Sequence, residues 1–213
     1  MKEIIIIGAG DFAKEVAWLI EGINKVEPTY LILGYLDNDE TKIGTEIGGY
    51  KVIGNDDYID ELVKHHNLYA VIAMQNVDIK EKLVKKFEGR VRWETLIHPS
   101  AEISNTSLIG EGTVICAGVY ITVDTCVGKH CLFNISSVVG HDCVIGDYVS
   151  IMSGVNICGH VKIGNKAYLA TNCTVIPNMK IGEHATVGAG SVVLRNVKDN
   201  ISVMGVPAKK VLF

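Results

Sequence analysis

The sequence predicts two domains of different class: a Rossmann-like α/β domain at the N-terminus, followed by an all-β parallel β-helix. Three observations support this prediction. The β-rich run from Lys2 to Ile7 leads directly into a glycine-rich turn and an amphipathic segment. Further along, an aliphatic or aromatic residue recurs at every sixth position from Ile103 to Val193. Small residues stand two places before most of these positions, and glycine often stands one place after them.

The first domain opens with a strand, a glycine loop and a helix. Lys2–Ile7 is apolar on both faces, as in the centre of a parallel sheet. The loop Gly8-Ala9-Gly10-Asp11-Phe12-Ala13 follows, and the predicted helix begins at Lys14 and continues to Ile20. This order of elements is typical of a site that binds phosphate at a helix N-terminus. A tight turn without a ligand is the alternative.

The remainder of this domain continues the alternation of strands and helices. A second strand, Leu31 to Leu36, ends in Asp37-Asn38-Asp39, where an acidic residue can bind the ribose or base of a nucleotide. Further strands are expected at 52–53, 69–74 and 91–93, and helices at 57–66 and 77–87. Only about 95 residues precede the β-helix, enough for one mononucleotide-binding half. This length argues against a dinucleotide-dependent dehydrogenase.

The period of six in the second domain fits neither a helix nor a single strand, but it fits short strands joined by short turns. Residues two apart in a strand face the same side, so each periodic aliphatic and the small residue before it both face inward. Three hexads make one coil, and stacked coils bury a continuous aliphatic column. The glycines mark turns that need a positive φ or a close backbone approach. Pro99 ends the preceding element, so we place the domains at residues 1–97 and 98–213.

Composition excludes several classes of protein. The formal net charge is −4, from 20 basic and 24 acidic side chains, and no long basic run is present, so nucleic-acid binding is not expected. We expect no membrane partner, because no apolar run reaches the roughly 18 residues that span a bilayer. We expect the apolar N-terminus to form a buried strand rather than a signal peptide. The 6 cysteines stand largely at inward or turn positions, which indicates a reduced, cytoplasmic protein, with disulfide bridges as the alternative.

One histidine in the β-helix has no structural reason to be there. His141 lies outside the inward positions and precedes Asp142, and a histidine paired with a carboxylate can act as a general base. Adjacent strand side chains point apart, so the pair can meet only if the chain turns after Gly140. A solvated surface histidine is the alternative. His160 stands about one coil further on, but a third histidine at this spacing is missing, so no metal site is predicted.

The segment Asn134…Ser136-Ser137-Val138-Val139-Gly140-His141-Asp142-Cys143-Val144-Ile145-Gly146-Asp147, preceded by a small nucleotide-binding domain, resembles one family. That family is the bacterial sugar O-/N-acetyltransferases, which have a left-handed β-helix of hexapeptide repeats. Its members modify sialic acid or nucleotide-linked 4-amino-4,6-dideoxy sugars. The resemblance extends over nearly the whole chain, including the ending Gly205-Val206-Pro207-Ala208-Lys209.

The resemblance implies acetyl-CoA as co-substrate, a homotrimer with active sites between subunits, and a role for each matching residue. His141 would be the general base and Asp142 would raise its basicity. The sugar nucleotide would contact Gly8, Gly10, Asp11, Phe12, Asp37, Asn38, Gln75 and Asn134. Acetyl-CoA would contact Ser150, Gly159, His160, Thr171, Ala189 and Lys209. The amide of Gly159 would face the thioester carbonyl. For Asn134, a left-handed turn residue is the structural alternative.

Three positions depart from the family pattern. Ser150 stands where relatives often have histidine, which changes the expected thioester contact. Asp11 places an anionic side chain beside the phosphates, which is unfavourable unless it points away. Gln75 stands where relatives tend to have glycine.

The sequence therefore predicts an N-acetyltransferase that moves acetyl from acetyl-CoA to the amino group of a nucleotide-linked 4-amino-4,6-dideoxy sugar. Direct attack is expected, because no cysteine or serine stands with the base as an acyl carrier. O-acetylation of sialic acid or a similar sugar is the alternative reaction. A trimeric nucleotide-sugar-binding scaffold or sensor is the alternative outside enzymes.

Overall fold

The computed structural model describes residues 1–211 of the chain. The chain divides into two compact units, one formed by Met1–Pro99 and one that begins at Ser100. Within the described residues, no helix has the length and apolar character that crossing a membrane requires.

The first unit is an α/β sheet domain. Its strands are β1 (Lys2–Ile7), β2 (Tyr30–Leu36), β3 (Glu46–Ile47), β4 (Tyr50–Gly54), β5 (Tyr69–Ile72), β6 (Arg92–Trp93) and β7 (Leu96–Ile97). Its helices are α1 (Asp11–Val26), α2 (Ile59–His65) and α3 (Val77–Lys86), with short 3-10 helices at Glu40–Lys42 and Asp56–Tyr58. The strand order in the sheet is β3-β4-β2-β1-β5-β6. All neighbours are parallel except β3, which is antiparallel to β4.

The topology of this sheet predicts a ligand site at the carboxyl ends of its central strands. The buried isoleucines of β1 make it the central strand, with β2 on one side and β5 on the other. The chain therefore reverses its direction of winding at β1, and ligands bind at the carboxyl ends of the strands at such a point. Helix α1 begins at Asp11, earlier than the predicted Lys14, because Gly10 serves as its N-cap and an acidic first turn favours the helix N-terminus.

The second unit is a parallel β-helix with two-residue strands. They are β8 (Glu102–Ile103), β9 (Leu108–Ile109), β10 (Val114–Ile115), β11 (Tyr120–Ile121), β12 (Cys126–Val127), β13 (Leu132–Phe133), β14 (Val138–Val139), β15 (Val144–Ile145), β16 (Ser150–Ile151), β17 (Asn156–Ile157), β18 (Lys162–Ile163), β19 (Tyr168–Leu169), β20 (Thr174–Val175), β21 (Lys180–Ile181), β22 (Thr186–Val187) and β23 (Val192–Val193). Two more strands follow, β24 (Ser202–Met204) and β25 (Lys209–Lys210).

Each strand pairs with the strand one coil away, which forms the three faces of a prism. Sheet 1 contains β10, β13, β16, β19, β22 and β24; sheet 2 contains β8, β11, β14, β17, β20 and β23; sheet 3 contains β9, β12, β15, β18 and β21. The second residue of each strand faces inward, and Ile115, Phe133, Val139 and Ile151 have no exposed surface. The small residues two places earlier are buried as well, Thr125 and Cys143 among them. The predicted fold class is thereby confirmed.

The glycines after the inward positions are required by close approach rather than by a positive φ. A Cβ on Gly146 would lie 2.4 Å from Asn165 Oδ1, and a Cβ on Gly110 would lie 2.5 Å from the carbonyl of Gly128. The positive φ values fall instead on other turn residues, including Asp142 at 56° and His160 at 59°. Asn134 is not among the residues with positive φ, so the interpretation of it as a left-handed turn residue is wrong.

The coil continues past Val193, although the period of six fails there. Val197 bridges to Ile181, and β24 pairs with β22 in sheet 1. The backbone N–H of Lys180 donates to Asn196 Oδ1, which lies 16 residues further along the chain. The equivalent hydrogen bond of a regular coil, from Asp147 N–H to Asn165 Oδ1, spans 18 residues. This last coil is thus shorter than the regular coils, which explains why the pattern does not extend to Asp199. β25 then folds back antiparallel to β24.

Candidate functional site

A cavity of about 550 Å³ lies in the first unit, at the carboxyl ends of β1, β2, β4 and β5. Its walls combine apolar and polar side chains: Ile7, Gly8, Ala9, Gly10, Asp11, Phe12, Leu36, Asp37, Asn38, Lys42, Asp56, Ala73, Met74, Gln75, Asn76, Ile79 and Leu83. The structure therefore brings together all the first-domain residues that the sequence predicts to bind the nucleotide. It adds Lys42, Asp56 and the α3 residues Ile79 and Leu83.

The glycine loop, Gly8 to Gly10, lines this cavity. Gly8 has a φ of 104°, and a Cβ there would lie 3.0 Å from the carbonyl oxygen of Ala73, so only glycine fits. Gly10 caps α1 with no side-chain hydrogen bond, which leaves the helix N-terminus open toward the cavity. The Asp11 side chain is fully exposed and pairs with Lys14 at 2.9 Å. Its pKa is lowered by the hydrogen bond from Lys14.

Asp37 is held by the glycine loop itself. Its Oδ2 accepts the backbone N–H of Ala9 at 2.8 Å and the Lys42 ammonium at 3.1 Å, and its Oδ1 accepts the backbone N–H of Asp39 at 2.9 Å. Burial alone would raise the pKa of Asp37, but these hydrogen bonds outweigh burial and lower the pKa. Asp37 therefore positions the loop and Lys42 in addition to lining the cavity.

Asp56 is the acidic residue of the cavity that the sequence analysis did not identify. It directly follows Asn55 at the end of β4 and is 6% exposed. Asn38 holds it with two hydrogen bonds: Asn38 Nδ2 donates to Asp56 Oδ2 at 2.8 Å, and the Asp56 N–H donates to Asn38 Oδ1 at 3.1 Å. The carboxyl-end rule that identified Asp37 after β2 applies equally to Asp56 after β4.

The second candidate site lies on the edge of the β-helix between sheets 2 and 3. His141 Nδ1 and Asp142 Oδ2 are 2.8 Å apart, and both side chains are about half exposed. The sequence analysis requires the chain to turn after Gly140 if the two side chains are to meet. Asp142 has a left-handed backbone conformation there, and its carboxylate contacts the imidazole of His141. With Nδ1–H donating to the carboxylate, Nε2 keeps a lone pair that can accept a proton.

Gly159 lies against the ring of His141 in the next coil. A Cβ on Gly159 would be 2.5 Å from His141 Nε2, so the imidazole occupies the space that any side chain would need. Within the described residues, the backbone N–H of Gly159 has no acceptor. A donor of this kind beside a base can stabilise negative charge on a reacting carbonyl oxygen.

His160 completes a group of three ionisable side chains on the same edge. Its ring meets the ring of His141 edge-on with centroids 5.0 Å apart, and its Nε2 lies 3.8 Å from Asp142 Oδ2. One ligand atom from each of His141, Asp142 and His160 falls within 4.8 Å of the others. The turn thus brings the Asp142 carboxylate beside the two histidines, which corrects the expectation that no third ligand atom lies near them.

The other residues predicted from the resemblance lie elsewhere on the β-helix. Asn134, Thr171 and Ala189 follow strands of sheet 1 and share the edge between sheets 1 and 2. Asn134 is 7% exposed, and its Oδ1 accepts the N–H of Ile135 at 2.7 Å. Ser150 is fully buried in sheet 1 without a hydrogen-bond partner for its hydroxyl, and Lys209 is exposed in β25. Within one chain these residues are not brought to His141.

Two family models match the chain. The model described as the PglD N-terminal domain matches residues 3–87, and the bacterial transferase hexapeptide model (six repeats) matches residues 160–195. The first match covers the unit that contains the cavity, and the second lies within the β-helix.

Individual relatives match nearly the whole chain. A GDP-perosamine N-acetyltransferase from Escherichia coli O157:H7 is 30% identical, over 96% of this chain and 94% of the relative. The crystal structure of PerB from Caulobacter crescentus, in complex with CoA and GDP-perosamine, is 31% identical with a TM-score of 0.89, covering 100% of this chain and 98% of that chain. The acetyltransferase domain of PglB from Neisseria gonorrhoeae FA1090, in complex with acetyl coenzyme A, is 27% identical with a TM-score of 0.91, covering 99% of both chains.

Proposed function

The chain belongs to the bacterial nucleotide-sugar N-acetyltransferases that include GDP-perosamine N-acetyltransferase, and we propose that it transfers acetyl from acetyl-CoA to the amino group of a nucleotide-linked 4-amino-4,6-dideoxy sugar. The observation that carries this proposal is the His141–Asp142 pair on a β-helix edge, in a chain that also has a complete nucleotide-type cavity. We assign sugar-nucleotide binding to residues 1–97 and acetyl transfer to residues 98–213.

The reaction follows from the positions of three groups. The sugar amine attacks the thioester carbonyl, and His141 Nε2 accepts the proton that the amine loses as the C–N bond forms. Asp142 stabilises the imidazolium that results. The Gly159 N–H donates to the carbonyl oxygen while it carries negative charge. When the C–S bond breaks, the proton passes from His141 to the sulfur of the leaving CoA, so the base is ready for the next cycle.

Direct transfer fits the thiols of this region. Cys143 stands two residues after His141, but it is fully buried and burial raises the pKa of its thiol. A thiol of this kind is a poor acyl carrier, since the thiolate is the nucleophile. We therefore propose attack in a ternary complex of enzyme, acetyl-CoA and sugar nucleotide, rather than a covalent acetyl-enzyme.

We propose that the active form is a homotrimer with its sites between subunits. The residues expected to bind acceptor and acetyl-CoA fall on two edges of the β-helix, with His141, Gly159 and His160 on one and Asn134, Thr171 and Ala189 on the other. When the edge with His141 in one copy faces the edge with Asn134 in a second copy, the two together supply all the residues expected to bind acceptor and acetyl-CoA. Leu108 and Val144 form part of an apolar stripe on sheet 3 that a neighbouring copy would cover; their exposed fractions are 68% and 48%.

The remaining assignments follow from these roles. Phe12, Gln75 and the Gly8–Gly10 loop would bind the sugar nucleotide, and Lys209 would lie near the phosphates of CoA. Ser150 would contribute to the acetyl-CoA site by packing, since its side chain is buried. We propose cytoplasmic action, in keeping with the use of acetyl-CoA and with 6 cysteines that are all free.

The test is release of CoA from acetyl-CoA, followed with a thiol reagent, with GDP- and UDP-linked 4-amino sugars and free sialic acid as acceptors. We expect release with a 4-amino sugar nucleotide and a fall of about 100-fold or more in kcat for His141→Asn. Release with sialic acid alone would replace this proposal with the O-acetyl reaction. Binding of a sugar nucleotide without any release would favour the scaffold or sensor.

A further inference from the structure

We propose that Asp56 selects guanine as the base of the sugar nucleotide, by accepting hydrogen bonds from the N1–H and the 2-amino group of the ring. This inference rests on the proposed function, in that it names the nucleotide bound by the same cavity. Asp56 is one of three acidic side chains that line the cavity, with Asp11 and Asp37, and the three differ in what already occupies their oxygens.

Asp11 and Asp37 are committed to other partners. The Asp11 side chain is fully exposed and pairs with Lys14. Both oxygens of Asp37 accept hydrogen bonds, Oδ1 from Asp39 and Oδ2 from Ala9 and Lys42. Asp11 is thus exposed to solvent, and Asp37 has no carboxylate oxygen without a protein donor.

Asp56 is buried and still has acceptor capacity. Its side chain is 8% exposed, and only Oδ2 has partners among the described residues: Asn38 Nδ2 at 2.8 Å and the Lys86 ammonium at 3.7 Å. Oδ1 has none. Oδ1 is not among the fully enclosed polar atoms that lack a partner, so it keeps accessible surface at which a ligand or water can donate a hydrogen bond.

The surroundings of Asp56 fit a flat aromatic ring. Leu36, Ile79 and Leu83 provide the apolar lining of the cavity, and Leu36 and Leu83 are buried. Asn38 donates one hydrogen bond to the Asp56 carboxylate and accepts another from the Asp56 backbone N–H, so residue and carboxylate are both held before a ligand arrives. The site thus offers two anionic acceptor atoms held in one orientation beside an apolar surface.

Guanine is the common nucleobase that presents two adjacent N–H donors, at N1 and N2, and these match the two oxygens of a carboxylate. Uracil offers one N–H between two carbonyl oxygens, which the carboxylate would repel. Adenine presents an amino group beside an unprotonated ring nitrogen. A site with a buried acceptor rejects a ligand that lacks the matching donor, because the acceptor is then left unpaired.

The experiment compares GDP, IDP and UDP by titration calorimetry on the full chain. IDP differs from GDP only in lacking the 2-amino group. Wild-type protein should bind GDP about tenfold or more tightly than IDP, and UDP should bind more weakly than GDP. In Asp56→Asn the amide Nδ2 replaces one acceptor with a donor, so the ratio of GDP to IDP affinity should fall to about one or below.

The matched control is Asp57→Asn. Asp57 is the next residue and pairs with the same Lys86 at 2.9 Å, but its side chain is 79% exposed and it does not line the cavity. This variant should keep the wild-type ratio. Because the ratio compares two ligands within one protein, a general loss of affinity cancels.

Equal affinity of the wild type for GDP and IDP, or tighter binding of UDP, would overturn the proposal even if Asp56→Asn does not fold. An unchanged ratio in folded Asp56→Asn would also overturn it. These outcomes are separate from those of the acetyl-transfer assay. Rapid CoA release with a UDP-linked 4-amino sugar would leave the transferase function standing and remove guanine selection.

Discussion

At the scale of single residues, the β-helix site depends on space that one glycine leaves open. His141 lies where a Cβ on Gly159 would be, 2.5 Å from Nε2 and 2.6 Å from Cε1. The N–H of the same glycine is the proposed donor to the thioester oxygen. In the proposed mechanism, Gly159 thus determines both the position of the His141 ring and the place where the thioester oxygen would carry negative charge.

We expect Gly159→Ala to lower kcat by about 10- to 100-fold with little loss of stability. The methyl group must displace a flexible imidazole rather than backbone, and a shift of about 1 Å at a reacting group costs about 100-fold in rate. The measurements are kcat by CoA release and the midpoint of thermal unfolding. Cys158→Ala, at the preceding position, should keep the wild-type kcat. An unchanged kcat in Gly159→Ala would show that the ring position does not limit the reaction.

Asp37 should make the stability of the first unit depend on pH. The pKa of its folded carboxyl is lowered from 3.8, so the carboxylate stabilises the fold above about pH 4, and this contribution is lost as the pH falls through the folded pKa. We expect Asp37→Asn to lower the free energy of unfolding by about 2 kcal/mol at pH 7. The difference from wild type should shrink below pH 4.

Urea unfolding followed by tryptophan fluorescence measures this effect, because both tryptophans of the chain, Trp18 and Trp93, belong to the first unit. Asp11→Asn serves as the control, since an exposed pair with Lys14 contributes little. A constant difference between Asp37→Asn and wild type across this pH range would contradict the assignment.

At the scale of the elements, the short strands of the β-helix are stable only as a stack. Each strand from β8 to β23 consists of two residues, one inward and one outward, and its hydrogen bonds go to neighbouring coils. The inward residues form one continuous core from Ile115 to Val203. A change at one inward position therefore affects the coils on both sides.

Adjacent positions of β18 allow a matched comparison. Ile163 is 3% exposed in the core, whereas Lys162 faces outward. We expect Ile163→Asp to destabilise the β-helix by about 4 kcal/mol or more, because it buries an unpaired charge. Lys162→Asp should be nearly neutral. Soluble yield and thermal unfolding by circular dichroism distinguish them, and similar behaviour of the two variants would contradict the inward and outward assignment.

At the scale of the whole molecule, the proposed site is incomplete in one chain, because its residues lie on two edges of the β-helix. The molecular mass measured by sedimentation equilibrium should therefore be close to three times the 23.1 kDa of a single chain. Leu108→Asp together with Val144→Asp should shift the protein toward the mass of one chain, since charges replace apolar contacts in the proposed interface.

The same double variant should lose acetyl transfer while keeping the circular dichroism spectrum of the wild type. GDP binding should persist, because the cavity lies within the first unit of each chain. A wild-type protein that sediments as a single chain with full activity would contradict the trimer.

The sequence by itself determined the fold class, most of the elements and the pairing of the neighbouring side chains His141 and Asp142. These features depend on local periodicity or on neighbouring residues. A period of six specifies stacked short strands, and a strand–glycine–helix order specifies the first βα turn. Even the close approach that requires Gly146 follows from this period, since each coil stacks on the next.

Only the tertiary structure decided which side chains share a site and how their hydrogen bonds are distributed. The commitment of Asp37 to Ala9 and Lys42, and the free oxygen of Asp56, depend on groups that are far apart in sequence. The meeting of Asp142 with His160 and the separation of Asn134 from His141 depend on the edge of the coil where each residue falls. Sequence spacing gives the coil of a residue, but side-chain direction and hydrogen-bond partners are set by packing in three dimensions.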